Sequence, residues 1–139
     1  MNGEVSGAVR TILRLEGLAV LAAAAIMYER SGFGWATFAL FFLVPDVSLL
    51  GYFAGRRVGA FTYNMAHAYV GALVSFAAGL ALAAPTLEVA GLIWSAHIGF
   101  DRAMGYGLKY AAGFGFTHLG RIGRSANAAA AAAASGVSA

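Results

Sequence analysis

Four long apolar runs, separated by short basic or turn-forming segments, constrain this chain more than any other feature. They fall at about Thr11–Tyr28, Phe33–Phe53, Val58–Ala84 and Thr86–Leu108. A helix needs about 20 residues to cross a hydrocarbon layer of about 30 Å, and each run is near that length. The runs lack two-residue alternation, which argues against a β-barrel. Ala and Leu dominate the first, and Glu29-Arg30-Ser31-Gly32 closes it. Trp35 is placed as an interface anchor of the second, Gly55-Arg56-Arg57 makes the next turn, and Pro85 separates the third from the fourth. Only 11% of the 139 residues are charged, against about 25% for an average soluble domain. Fifteen charged side chains cannot cover a soluble surface of this size. The expected fold is all-α: a polytopic membrane protein with four transmembrane helices.

The positions of the charges give an orientation. Arg10 and Arg14 lie at the start of the first run, Arg56 and Arg57 at the middle turn, and Arg102, Lys109, Arg121 and Arg124 at or beyond the last end. The opposite side has Arg30, with Glu29 beside it, and Glu88. The positive-inside rule then places both termini in the cytoplasm, and the chain is expected in an inner membrane, with the first run retained as a span rather than cleaved as a signal. The net charge of +3 reflects this topology and not a nucleic-acid groove. The absence of cysteine excludes disulfides and thiolate metal sites. Residues 1–124 read as the transmembrane domain, in which Lys109–Arg124 is a C-terminal interfacial segment that lies on the cytoplasmic interface or folds under the bundle. From Ser125 to 139 an Ala-rich tail is expected to be flexible. Gly71, Ser75 and Gly79, and less strongly Gly51, Gly55 and Gly59, repeat every four residues and offer close-packing stripes, within the chain or in a homo-oligomer.

Six polar residues interrupt the apolar runs: Glu16, Asp46, Asn64, His67, His97 and Asp101. Ionisable groups at membrane depth usually face the protein interior and mark function or a buried network. With a rise of about 1.5 Å per residue, Glu16 lies roughly 8 Å inside the cytoplasmic end, Asp46 and Asp101 roughly 10 Å, His67 roughly 13 Å and His97 roughly 16 Å. One shared site in the cytoplasmic half explains these depths although the spans alternate in direction. His97 and Asp101 are four apart, with Trp94 three before His97, and Asn64 and His67 share a face.

Asp46, His67, His97 and Asp101 make a ligand set suited to zinc, iron or manganese. Glu16 is a candidate fifth ligand or base, Asn64 a positioning group, and Arg102 a contact for an anionic headgroup. Bland roles compete. Asp46 follows Pro45 and could satisfy a kink, Asn64 and His67 could be interhelical hydrogen-bonding glue, and His97 and Asp101 could pair locally. His118 lies outside the spans and is read as interfacial. Haem ligation by His67 and His97 is disfavoured by the carboxylates, and nothing calls for a nucleotide.

The blocks LRLEGLAVL (Leu13–Leu21), PDVSLLGY (Pro45–Tyr52), YNMAHAY (Tyr63–Tyr69), AHIGFDRAMGYGLKY (Ala96–Tyr110) and THLGRIG (Thr117–Gly123) resemble the bacterial membrane-protein family catalogued as domain of unknown function 4260. That resemblance implies a small multi-span protein and supplies no reaction. Pro45-Asp46, His67, and His97 with Asp101 followed by Gly105 are similar, more distantly, to LexA-binding, inner-membrane-associated metal-dependent hydrolases, whose fuller His and Asp pattern is not matched here. Three functions follow as expectations. The first is metal-dependent hydrolysis of a membrane-derived ester or phosphoester, with the bilayer and a lipid-like substrate as partners. The second is proton-coupled transport or binding, and the third is a structural role.

Overall fold

The computed structural model describes residues 3–136. Helix α1 (Gly7–Glu29) is a single uninterrupted rod. The second apolar run is not one helix. It begins as α2 (Trp35–Phe42) and tightens into a 3₁₀ helix over Val44–Ala54. Pro45 explains the change: it lacks an N–H and its ring crowds the preceding turn, so the α-helical ladder cannot pass through it. The third run is also divided, into α3 (Arg56–His67) and α4 (Tyr69–Leu82), with Ala68 between them in an extended conformation. Helix α5 (Pro85–Met104) follows a tight turn in which Ala83 adopts the left-handed conformation. It stops four residues short of the expected Leu108. Gly105, with φ of 94°, turns the chain out of the helix, and the Gly105 and Tyr106 N–H groups donate to the Arg102 and Asp101 carbonyls.

Three segments, Gly7–Glu29, Trp35–Ala54 and Arg56–Leu82, are long and apolar enough to cross a membrane. Their outer faces present Leu40, Phe53, Val70 and Leu82, all largely exposed. In water that surface would be an aggregation hazard; toward lipid it has no such cost. Helix α5 differs. It is the central element, packed by α1 on one side, α4 on another and α2 on a third. Ten of its residues are buried, His97 and Arg102 among them, while Leu87, Phe100 and Met104 remain exposed.

Glycine makes the enclosure tight. Gly17 of α1 lies against the Gly99 carbonyl and the Arg102 side chain, and Gly99 lies against the Gly17 carbonyl and Leu21, so α1 and α5 meet backbone to backbone. The Gly71, Ser75, Gly79 stripe is an intramolecular surface. Gly71 receives the Trp94 ring, the Ser75 hydroxyl donates to the Leu87 carbonyl at 2.9 Å, and Gly79 lies under Glu88. Gly51 and Gly59 likewise seat Thr62 and Tyr52 where the 3₁₀ helix crosses α3, while Gly55 faces open space. Ala24, Tyr28, Val89, Leu92, Ile93 and Ala96 form the main apolar core.

Beyond α5 the chain folds under one end of the bundle. Strands β1 (Phe116–Thr117) and β2 (Gly120–Arg121) form a minimal hairpin, and Lys109 bridges to Thr117. Thr117 and Leu119 are fully buried. The N-terminal segment docks on this hairpin through the Val5 N–H to the His118 carbonyl, at 2.9 Å, and a Glu4–Arg121 ion pair at 3.2 Å. Of the two placements expected for Lys109–Arg124, the structure has the segment folded under the bundle as a cap. Helix α6 (Arg124–Ala134) occupies most of the Ala-rich tail and buries no residue. Residues 137–139, the end of that tail, lie outside the described residues.

Candidate metal centre

Three irregular or special positions converge beneath the apolar core. Asp46 is the third residue of the 3₁₀ helix, its N–H held by the Leu43 carbonyl at 3.0 Å. His67 is the last residue of α3, immediately before the break. His97 and Asp101 are one turn apart on α5. The His67 and His97 Nε2 atoms are 3.1 Å apart. Asp46 Oδ1 lies 3.3 Å from His67 Nε2 and 3.5 Å from His97 Nε2. Asp101 Oδ2 lies 3.5 and 3.8 Å from the same two nitrogens. One ligand atom from each of the four residues falls within 4.8 Å of all the others. The four residues selected from the sequence are brought together.

The tautomer of His67 follows from its neighbour. Its Nδ1 is 2.9 Å from the Tyr63 carbonyl. A carbonyl oxygen only accepts, so Nδ1 carries the proton and Nε2 turns its lone pair toward the cluster. Metal-ligating histidines are commonly oriented in this way. His97 Nδ1 is buried without a partner among the described residues, so the ring's polar engagement is at Nε2 alone. Two imidazole nitrogens and two carboxylate oxygens therefore meet with fewer protons than acceptor sites. A metal ion could be held among these four atoms, and a proton on His97 Nε2 donated to His67 Nε2 is the alternative the 3.1 Å separation allows.

The surrounding shell is aromatic. The Tyr63 ring stacks on His67 with centroids 3.7 Å apart, and its hydroxyl donates to Asp101 Oδ2 at 3.1 Å. Phe42 packs edge-on against His97. Both histidines are buried, whereas the Asp46 side chain is 38% exposed and that of Asp101 15%. The site is closed on its imidazole side and open on its carboxylate side.

The other three candidate residues are placed differently. Glu16 is exposed on α1 and is not a member of the cluster. Asn64 is engaged by backbone: its Nδ2 donates to the Lys109 carbonyl at 2.9 Å, and the Lys109 N–H donates to its Oδ1 at 2.7 Å. Arg102 is buried, and its Nη2 donates to the His67 carbonyl at 3.0 Å. His118 accepts the Leu108 N–H at Nδ1, 2.9 Å away. Burial, and then the nearby Arg102 charge, lowers its pKa below the ordinary imidazole value.

Sequence reasoning did not single out Tyr63 or give Lys109 a role at the site. Lys109 is buried, with Nζ 3.6 Å from the centroid of the Phe114 ring, 4.6 Å from that of Tyr63, and donating to the Phe114 carbonyl at 3.1 Å. Burial pulls its ammonium down to about 8, against the opposing pull of Asp101 and Asp46. Tyr63 was discoverable in principle, being four residues before His67 and so one helical turn below it. Lys109 is the chain's single lysine, but only the fold brings it back to α3.

Neither a curated protein nor a solved structure matches the chain. Residues 10–122 match the family model described as "Domain of unknown function (DUF4260)", a stretch that runs from the first turn of α1 through the hairpin. The chain belongs to that family.

Proposed function

We propose that this protein is a multi-pass membrane metalloprotein, with α5 as a fourth crossing, that holds a divalent zinc, iron or manganese ion through Asp46, His67, His97 and Asp101. The single observation that carries this reading is the spacing of the ligand atoms. Four ligands at about 2.1 Å from a tetrahedral ion sit about 3.4 Å from one another. The measured nitrogen–nitrogen and nitrogen–oxygen separations run from 3.1 to 3.8 Å. Nitrogen and oxygen donors without sulfur suit these three metals.

The reaction we assign is hydrolysis of an ester or phosphoester carried by a membrane-derived amphiphile. A divalent ion here would supply Lewis acidity to the scissile group. The exposed carboxylate side offers the approach, and Lys109 offers a positive charge near an anionic group. Arg10, Arg14, Arg56, Arg57, Arg121 and Arg124 favour a cytoplasmic placement for the capped end, with both termini inside and the bacterial inner membrane as the location.

Elemental analysis of detergent-purified protein tests the metal assignment. The expected result is about one transition-metal ion per chain, lost in His97→Ala while helical circular dichroism is retained. A folded protein that takes up no such ion from zinc, iron or manganese solutions overturns it. Product release from vesicles that contain ester and phosphoester lipids tests the reaction. Metal-loaded protein that is inert toward both classes removes hydrolysis and leaves metal binding standing.

A further inference from the structure

An apolar groove of about 520 Å³ is lined by the α2–3₁₀ segment, Ala66 of α3 and the first half of α5. That volume lies within the roughly 300–1,000 Å³ of ordinary small-ligand sites. On α5 its lining is Thr86, Val89, Ala90, Ile93 and Trp94, at the i, i+3, i+4, i+7, i+8 spacing of one helix face. The same face continues one turn later to His97 and then Asp101. On the opposite wall the groove reaches Pro45 and Ala66, the residues immediately before Asp46 and His67. At its far end are Phe33 and Thr86, which flank the two loops at the end of the bundle away from the hairpin.

The geometry points to a binding groove for one linear hydrocarbon chain of an anionic amphiphile, seated with its headgroup toward the Asp46/His67/His97/Asp101 cluster and its methyl end toward Phe33. This names the substrate class of the proposed site and rests on that reading for the headgroup's fate, although not for the chain's seat.

Three observations favour this occupant. The wall facing α5, from Thr37 to Ser48 and at Ala66, belongs to two of the three membrane-length segments, so hydrocarbon is the solvent expected on that side of the groove. The lining is almost wholly apolar at one end and adjoins charged and imidazole groups at the other, which matches a tail and a head. Lys109, stacked on the Tyr63 ring that itself covers His67, adds positive charge at the head end. Trp94 is held rigidly as part of the wall. Its indole N–H donates to the Ala66 carbonyl at 2.5 Å, and its ring rests on Gly71.

Trp94 also provides the test. The chain has two tryptophans, so Trp35→Phe leaves Trp94 as the sole emitter. Single-chain alkyl phosphates, brominated either near the headgroup or at the chain terminus, are titrated into the full-length protein in detergent. The expected result is saturable quenching at one probe per chain, stronger for bromine near the headgroup. Ala90→Phe, which fills the groove from α5, should weaken the apparent affinity by about tenfold or more while metal content stays unchanged.

Quenching that rises in proportion to bulk amphiphile, or that Ala90→Phe leaves unaltered, identifies ordinary annular lipid and overturns the inference. Stronger quenching by terminal bromine overturns the orientation. Saturable quenching in protein that binds no metal supports the groove and refutes the metal reading alone, so the two failures are distinguishable.

Discussion

Asn64 offers the clearest separation between a chemical role and an architectural one. Its amide makes a two-way contact with the Lys109 backbone, at 2.9 and 2.7 Å, and so ties the capping hairpin to α3. Replacing it with Ala removes both hydrogen bonds, each worth about 0.5–1.5 kcal/mol net, and leaves a half-buried N–H and carbonyl with water as the alternative partner. The loss should total about 1–3 kcal/mol, or roughly 5- to 150-fold in the equilibrium for local opening. The amides that report it are Lys109, Tyr110 and His118. The first bonds Asn64 directly, and the others bond the Phe116 and Leu108 carbonyls within the cap. Hydrogen exchange in detergent should show these amides losing protection together, while α5 and the metal content remain as before. Asn64→Asp should fall between, since it retains an acceptor for the Lys109 N–H but sets a carboxylate against the Lys109 carbonyl. Unchanged cap protection in Asn64→Ala would refute the architectural role. Loss of metal with an intact cap would return Asn64 to the chemistry of the site.

Lys109 should titrate with a midpoint of about 8, well below its ordinary 10.5. Because burial disfavours the charged form, the ammonium is present below that pH and is lost as pH rises through it. Affinity for an anionic amphiphile should therefore decline on the alkaline side. The lone lysine gives a single resonance in protein labelled at lysine carbon, and a midpoint near 10.5 would show that the side chain is not buried as described. Tyr63→Phe keeps the ring over His67 but removes the hydroxyl donated to Asp101 Oδ2. Metal affinity measured by chelator competition should fall by about tenfold, the low end for loss of a supporting partner, and an unchanged affinity would remove Tyr63 from that role.

Much of the site was legible because its signals are local. His97 and Asp101 share a helix face by spacing alone, and alternating span direction aligned Asp46 and His67 with them in depth. The small-residue stripe on Gly71, Ser75 and Gly79 announced a packing surface, although its partner, α5, needed the fold. The break at Ala68 was not legible. No Gly or Pro marks it within Tyr63–Tyr69, and what sustains it comes from elsewhere in the chain. Pro45 did signal an irregularity, but a kink and a 3₁₀ segment of eleven residues look the same in sequence. In sequence Asn64 reads either as a positioning group or as interhelical hydrogen-bonding glue, and Arg102 as a headgroup contact; their backbone partners, the Lys109 peptide and the His67 carbonyl, become available only once the cap folds and the helix breaks.

That break explains the remaining cation. Interrupting a helix at membrane depth frees carbonyls that lipid cannot satisfy, at several kcal/mol each. Here the Ala66 carbonyl takes the Trp94 indole N–H and the His67 carbonyl takes the Arg102 guanidinium. Both donors belong to α5, three residues before His97 and one after Asp101. The contacts that make the break tolerable therefore also fasten the end of α3 to the segment of α5 that carries two of the four candidate ligands. An unbroken helix would have retained those carbonyls in its own ladder and offered α5 no such attachment. Arg102 thus fixes where His67 stands relative to His97, and the irregular backbone is the means by which an imidazole from each of two helices is held with Nε2 atoms 3.1 Å apart.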